Sequence, residues 1–209
     1  MHTPPQSPAP EGAKIPVEEP LLAGGPSFFG AIARFALELV EIVIISLAII
    51  LPIRYFLIQP FYVKGASMEP TFDDHEYLII DELSYRLREP ERLEVVVFRY
   101  PLDPRQYFIK RIIGMPGETV KISGDGVTII NHEHPEGLRL DESAYLSPDA
   151  LTRGDRTVTL AADEYFVMGD NRTASLDSRT FGPLPSKQIV GRVWIRGWPL
   201  DRVKVFRAP

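Results

Sequence analysis

The 209-residue sequence contains no cysteine, which excludes disulfide bonds, a thiol nucleophile and thiolate metal ligands. Histidine is also scarce, with only four residues in the chain. Two of them, His132 and His134, are one residue apart in a polar stretch, and we expect exposed loop residues there rather than metal ligands. The sequence therefore predicts no metal site and no cofactor.

Positive charge is in short supply as well. The chain has 23 Lys and Arg against 28 Asp and Glu, a formal net charge of −5 at pH 7. The basic residues are scattered and form no stripe of the kind that follows a phosphate backbone, so we expect no nucleic-acid partner. A chain of this length holds one compact domain with a sizeable core, with room for a tail and an anchor.

The N-terminal part changes composition abruptly. Up to about residue 26 it is rich in proline and poor in apolar residues, and we predict a disordered tail over residues 1–34. Residues 35–58 are strongly apolar and reach the roughly 20 residues that span a bilayer, which predicts a transmembrane helix. Glu38, Glu41 and Arg54 interrupt this run, so a buried core helix is the alternative. No small-residue cleavage site follows, and we expect the segment to stay attached.

Short runs rich in Val, Ile, Tyr and Phe recur after residue 58, separated by turn residues. They predict an all-β domain over residues 59–209 and hence a mostly β protein. The predicted strands are residues 76–80, 94–100, 107–113, 165–168 and 189–195. Residues 120–130 alternate around Asp125 and Gly126, which predicts a tight hairpin. Residues 131–155 are polar and contain Pro and Gly, and we expect an irregular insertion or small cap.

Lys110 is unusual because it lies within an apolar run, Tyr107-Phe-Ile-Lys-Arg-Ile-Ile-Gly. A serine hydroxyl is a weak nucleophile until a base takes its proton, and a lysine is such a base only when neutral. The lysine pKa must then fall by about three units from its usual value near 10.4. Burial among apolar side chains lowers it in this direction. Alternation does not say which strand face is buried, so an outward-pointing Lys110 remains the alternative.

Three segments together resemble the bacterial type I signal peptidases. The first is Gly65-Ala-Ser-Met-Glu-Pro-Thr-Phe, the second surrounds Lys110, and the third is Gly169-Asp-Asn-Arg-Thr-Ala-Ser-Leu-Asp-Ser-Arg. They match the nucleophile, base and charged boxes of that family in the same order. The resemblance covers residues 35–182, outside the tail and residues 131–155.

The resemblance implies a role for each matching residue. Ser67 would attack the scissile carbonyl, Lys110 would take and return the proton, and Ser175 would form a hydrogen bond with the lysine amine and orient it. The supporting residues it implies are Asp177, Arg111 and Arg179 as a charged shell, Asp170 and Asn171 as holders of the loop, and Met168 beside the base. Gly65 stands where some relatives carry a serine, so the backbone N–H of Ser67 remains as the expected oxyanion donor.

The function that the resemblance implies is a membrane-anchored serine endopeptidase with a Ser/Lys dyad. It would remove signal peptides from exported preproteins by cutting after small residues at Ala-x-Ala-like sites. The N-terminus would be cytoplasmic, and the β-domain would lie outside the cytoplasm against the lipid bilayer of the cell membrane. Two alternatives are a self-cleaving regulatory protease of the same dyad class and a non-catalytic, membrane-tethered β-domain.

Overall fold

A computed structural model of the chain describes residues 28–56, 58–124 and 126–206. One N-terminal helix, α1 (Phe28–Phe56), precedes a domain built mainly from strands, which confirms the mostly β class. The strands are β1 (Ile58–Tyr62), β2 (Tyr77–Asp81), β3 (Val95–Tyr100), β4 (Asp103–Gly114), β5 (Thr119–Ser123), β6 (Gly126–Ile130), β7 (Leu138–Arg139), β8 (Arg156–Thr159), β9 (Glu164–Met168), β10 (Leu184–Pro185), β11 (Ile189–Trp198) and β12 (Lys204–Val205). A short helix, α2 (Ser178–Phe181), and 3₁₀ turns at Ser84–Arg86, Ser186–Gln188 and Leu200–Arg202 complete the elements.

Helix α1 differs from the predicted N-terminal organisation. It includes residues 28–34, which were predicted to be disordered, because that stretch has no proline and contains alanines that favour a helix. The rest of the predicted tail, residues 1–27, lies outside the described residues. Among residues 28–56, 58–124 and 126–206, no helix combines the length and apolar character that crossing a membrane requires. The predicted transmembrane helix over residues 35–58 is therefore not supported, and Glu38 and Glu41 interrupt its first half.

The chain divides into a unit that ends at Leu47 and one that begins at Ala48, and the second holds all the strands. Its larger sheet has the order β1-β2-β11-β3-β4-β9-β10, with β12 also paired to β11. All these pairs are antiparallel. A smaller antiparallel sheet has the order β7-β6-β5-β8.

Strand β3 is central, and both of its faces are covered. Val95 and Val97 pack in one apolar cluster, whereas Val96 and Phe98 pack in another on the opposite face. This explains why four consecutive residues are buried, in place of the alternation of a half-exposed strand. Five predicted strands correspond to β2, β3, β4, β9 and β11, with shifted ends.

The hairpin predicted within residues 120–130 forms between β5 and β6, where Ser123 pairs with Gly126. Its turn differs from the predicted one, because Gly126 already belongs to β6 and Gly124 has the positive φ of 63°. Glycine adopts that φ without the clash that a β-carbon would cause. Asp125, the other predicted turn residue, lies outside the described residues.

Residues 131–155 are irregular apart from β7, which pairs with β6. Three side chains of this insertion are nonetheless buried: Glu142, Tyr145 and Thr152. Tyr145 joins an apolar cluster of residues from β4, β5, β6 and β9. The insertion therefore packs onto the domain through specific side chains, although it has little regular secondary structure.

Strand β4 changes environment along its 12 residues, exposed in its first half and buried towards its end. Lys110 lies where the buried part begins, paired with Val96 of β3, while Arg111 pairs with Met168 of β9. The chain leaves β9 directly into residues 169–177, which we call the catalytic loop after the role that the resemblance implies for this segment. Strand β1 leads into the segment that carries Ser67. These connections bring the three sequence segments together, because Ser67 contacts both Lys110 and Asn171.

Candidate active site

The segment that carries Ser67 is anchored by two fully buried side chains, Met68 and Phe72. The amide of Phe72 donates a hydrogen bond to the carbonyl of Met68 at 2.9 Å, and the amide of Asn171 donates to the carbonyl of Ser67 at 3.1 Å. Gly65 has a φ of 86°, and its amide donates to the Asp74 carboxylate at 2.9 Å. Ser67 is thus held from its own segment and from the catalytic loop.

Lys110 reaches Ser67 from the neighbouring strand. Its Nζ lies 2.8 Å from Ser67 Oγ and donates to the carbonyl of Ile109 at 2.7 Å. The side chain is buried, with 3% of the residue exposed, and Nζ lies 5.5 Å from the ring centroid of Phe108. Burial lowers the pKa of Lys110 to about 8, against the opposing influence of the Asp177 and Asp170 charges. Lys110 therefore points inward, and the outward-facing alternative is wrong.

Two ion pairs lie beside Ser67 and Lys110 and hold the aspartates whose charges act on the lysine amine. Arg111 donates from Nε and Nη2 to the two oxygens of Asp170, at 2.8 and 2.6 Å. Arg179 donates in the same forked manner to Asp177, at 2.9 and 2.8 Å. Burial alone would raise the pKa of Asp177, but the hydrogen bonds and charge of Arg179 hold that pKa below its usual value. Asp177 is consequently held as an anion, and the charges of Asp177 and Asp170 both act on the lysine amine.

Asp170 also accepts a hydrogen bond from the hydroxyl of Thr71 at 2.5 Å. Thr71 lies four residues after Ser67, so this contact ties the nucleophile segment to the catalytic loop. Sequence reasoning did not predict this contact of Thr71. The available signal was its position in the first motif. Met168 is fully buried at the end of β9, directly before the catalytic loop.

Ser175 lies in the catalytic loop close to Gly169, and its buried Oγ makes no hydrogen bond of good geometry within the described residues, although it lies close enough to Asp177 to help lower the pKa of that carboxyl. The expected bond to the Lys110 amine is not made in this structure, where Nζ contacts Ser67 and Ile109 instead. A β-carbon on Gly169 would meet Ser175 Oγ at 2.2 Å and the Ser67 carbonyl oxygen at 2.4 Å. Gly169, another residue not predicted, thus permits the close approach of loop and nucleophile.

Ser67 and Lys110 lie in a cleft of about 610 Å³. The other residues that line it are Phe61, Tyr62, Val63, Lys64, Gly65, Ala66, Leu78, Val97, Gln106, Tyr107, Phe108, Ile109, Ala174 and Leu176. Most are apolar, so the cleft suits a peptide with apolar or small side chains. Across the part of the chain that the structure describes, no group of three or more His, Asp and Glu side chains is arranged to hold a metal ion.

Comparison with known proteins decides the family. A family model described as "Signal peptidase, peptidase S26" matches residues 36–198. The chain belongs to this family. The predicted resemblance to type I signal peptidases is thereby confirmed, and so is the predicted enzyme class at the level of a peptidase.

Individual relatives agree with this family. The chain is 39% identical to a probable signal peptidase I-2 of Synechocystis sp. over 80% of this chain and 75% of that protein. It is 33% identical to a signal peptidase I of Leptolyngbya laminosa over 99% of this chain and 93% of that protein. The crystal structure of a signal peptidase I from Enterococcus faecalis matches with 30% identity and a TM-score of 0.42, covering 51% of this chain and 97% of that one.

Arg172 is the clearest site residue that sequence reasoning missed. It lies in the catalytic loop between Asn171 and Ser175, is 4% exposed, and pairs with Glu142 of the insertion. Its presence in the third motif was a signal, but its partner was not visible there because Glu142 is 30 residues away along the chain. Only the fold brings the two side chains together.

Proposed function

We propose that this chain is a serine endopeptidase that removes signal peptides from exported preproteins, with Ser67 as nucleophile and Lys110 as general base. The observation that carries the proposal is the 2.8 Å distance between Ser67 Oγ and Nζ of the buried Lys110, in a partly buried site. A base within hydrogen-bond reach of a serine hydroxyl is what nucleophilic catalysis by serine needs. Membership of the signal peptidase family supports the substrate class.

The reaction would begin with neutral Lys110. Because its pKa is about 8, roughly one in ten molecules holds the neutral amine at pH 7. The amine takes the proton of Ser67, Oγ attacks the scissile carbonyl, and the resulting ammonium returns the proton to the leaving amine. The same amine then activates the water that hydrolyses the acyl-enzyme. Asp177 and Asp170 stabilise the ammonium between these steps, because their charges raise the lysine pKa.

The oxyanion would be stabilised by the backbone N–H of Ser67. Gly65 has no hydroxyl to add as a second donor, and its positive φ leaves open space where a side chain would start. One donor of this kind is worth about 3–4 kcal/mol in other serine proteases. The stabilisation of the oxyanion would therefore come from the backbone alone.

The substrate segment would lie in the cleft as an extended chain. Ala66 and Ala174 line the cleft beside Ser67, and the apolar walls include Phe61, Val63 and Ile109. Such walls favour small apolar side chains near the scissile bond and support cleavage after the second alanine of an Ala-x-Ala site.

The place of action would be the outer surface of the cell membrane, with the catalytic domain outside the cytoplasm and the lipid bilayer as a partner. Signal peptides keep their apolar core in the membrane, so the cleavage site is presented at that surface. The exposed apolar side chains of α1, such as Phe35 and Ile42, support contact with lipid, because patches of this kind are rare where only water is met.

The test is cleavage of a purified preprotein with an Ala-x-Ala site in detergent. We expect the intact chain to cut after the second alanine, and Ser67→Ala and Lys110→Ala to lose at least about 1,000-fold in kcat/KM. Lys121→Ala is the matched control, since Lys121 is exposed on β5. Cleavage by Lys110→Ala at the rate of the control would refute the dyad. A folded intact chain that never cuts would favour the non-catalytic alternative.

A further inference from the structure

A buried ion pair joins the insertion to the catalytic loop. Arg172 donates from Nη1 to the Glu142 carboxylate at 2.9 Å and from Nη2 to its other oxygen. It also donates to the hydroxyl of Thr152, another buried residue of the insertion. On the side of the loop, its Nε donates to the carbonyl of Gly169 at 3.1 Å. One guanidinium therefore holds both segments.

A second connection runs through Tyr145. Its hydroxyl donates to Glu142 at 2.7 Å, and its ring lies 4.1 Å from the guanidinium carbon of Arg111. Arg111 follows Lys110 directly on β4 and holds Asp170 of the catalytic loop in a forked ion pair. The insertion therefore contacts the strand that carries the base as well as the loop that faces it.

The point of attachment on the loop is close to the reacting atoms. Arg172 binds the carbonyl of Gly169, and Gly169 lies directly against Ser175 and the Ser67 carbonyl. The Gly169 amide donates to Asp177 at 3.0 Å, and the charge of Asp177 acts on Lys110. A displacement of Gly169 would thus move the groups that surround the dyad.

We propose that Glu142, Tyr145 and Arg172 form an insertion clamp, by which residues 131–155 hold the catalytic loop in the geometry that the dyad needs. The three are positioning residues, since none of them lines the cleft of Ser67 or contributes to the hydrogen bonds of Lys110 Nζ. The inference rests on the proposed function, because it assigns a task within that reaction. It gives the insertion a role that its irregular backbone does not suggest.

The chain offers a matched control with the same three residue types. Arg88 donates to both oxygens of Glu94, and Tyr85 donates to that carboxylate at 2.9 Å. Glu94 is 5% exposed, compared with 9% for Glu142. In the described structure, none of the three control side chains is joined to residues 169–177 by a hydrogen bond or ion pair. Glu94→Gln therefore removes the charge of a buried carboxylate, as Glu142→Gln does, but it breaks no contact with the catalytic loop.

The experiment compares Glu142→Gln with Glu94→Gln, and Tyr145→Phe with Tyr85→Phe, in the full chain. Amide hydrogen exchange of residues 169–177 is measured by mass spectrometry, together with kcat, KM and the pH midpoint of kcat/KM for a preprotein with an Ala-x-Ala site. All measurements are made well below the unfolding temperature of each variant. The exchange experiment needs no activity, so it tests the clamp even if the chain cleaves nothing.

We expect Glu142→Gln to speed exchange in the catalytic loop and to lower kcat by about 10- to 100-fold, as misplacement by about 1 Å does. Its pH midpoint should rise, because water that enters beside Lys110 reverses the burial that lowers the lysine pKa. Tyr145→Phe keeps the ring on Arg111 and should show the same changes to a smaller extent. The control substitutions should change loop exchange and kcat by no more than about twofold, and they should leave the pH midpoint in place.

Equal loop exchange in Glu142→Gln and Glu94→Gln would overturn the clamp. So would a Glu142→Gln variant that loses thermal stability but keeps its kcat and pH midpoint, because that result marks a purely structural ion pair. An intact chain without cleavage activity would refute the proposed function instead, while faster loop exchange in Glu142→Gln alone would still support the clamp.

Discussion

Replacing Lys110 by methionine should make the protein more stable at neutral pH while it abolishes cleavage. Burial lowers the pKa of this lysine to about 8 from a usual 10.5. The unfolded chain therefore binds the proton more tightly than the folded chain, and the lysine opposes folding at low pH. A difference of about 2.5 pKa units corresponds to about 3 kcal/mol. Methionine fills a similar volume and carries no charge to desolvate.

The sign of the pH dependence follows from the same numbers. Below pH 8 the lysine is protonated in both states, and the full destabilisation of about 3 kcal/mol is present. Between pH 8 and 10.5 the folded state has released its proton while the unfolded state still holds it, so stability rises with pH. Above 10.5 both states are neutral and the effect is gone. The advantage of Lys110→Met should therefore be largest at pH 7 and decline towards pH 10.5.

Urea unfolding of both proteins at pH 7, 8, 9 and 10 measures this difference, because other titrating groups cancel between them. Lys121→Met, at an exposed position of β5, is the control and should show a difference close to zero throughout. A stability difference between wild type and Lys110→Met that stays constant over this pH range would refute the reasoning. Cleavage by the wild type should rise about tenfold per pH unit below 8 and then level off.

Three further substitutions test the surroundings of the dyad. Gly169→Ala should lower kcat by about 100-fold, because its β-carbon would meet the Ser67 carbonyl oxygen at 2.4 Å and force the catalytic loop away from the Ser67 segment. Steady-state cleavage kinetics measure this effect, and an unchanged kcat would contradict it. Asp170→Asn should lower the free energy of unfolding by about 3–5 kcal/mol, since it leaves Arg111 buried without its anion. Urea unfolding measures this change. A loss under about 1 kcal/mol, as for an exposed ion pair, would contradict a stabilising role for the Arg111–Asp170 pair. Gly65→Ala should lower the free energy of unfolding by about 1–2 kcal/mol, because alanine is strained at a φ of 86°. It should keep the cleavage rate within about threefold, because beyond the chain neighbours no atom lies within 4 Å of the new carbon. A larger loss of cleavage would show that the backbone there had moved.

Strands were predictable where burial on both faces produces continuous apolar runs, as in β3 and β9. Strand β1 was missed because its residues continue the apolar character of the preceding helix, and periodicity does not separate the two over so short a run. The start of α1 was misplaced for the opposite reason, since residues 28–34 follow a proline-rich stretch and were grouped with it. The ends of a helix or strand depend on competition between helical and extended backbone over a few residues, which the composition of a longer segment does not resolve.

The dyad itself could be proposed from three motifs, but its burial could not. Alternation left both faces of β4 open for Lys110, and the side that is buried depends on β3, β9 and the catalytic loop. The pairing of Arg172 with Glu142 was beyond sequence reasoning, because Glu142 lies in the irregular insertion and no periodic pattern places it. Contacts between distant segments require the fold, even where one partner lies inside a recognised motif.

The surroundings of Lys110 act on its pKa in opposite directions, and the balance has a chemical reason. Burial favours the neutral amine, whereas Asp177 and Asp170 favour the ammonium. Burial without the aspartates would leave more neutral amine at pH 7 but a weaker base, and the ammonium formed after proton transfer would lack a counter-charge. With the aspartates alone, the lysine would stay protonated. A general base works best when its pKa lies near the operating pH, so in the proposed reaction the ion pairs that fix both aspartates would limit how far burial lowers the lysine pKa.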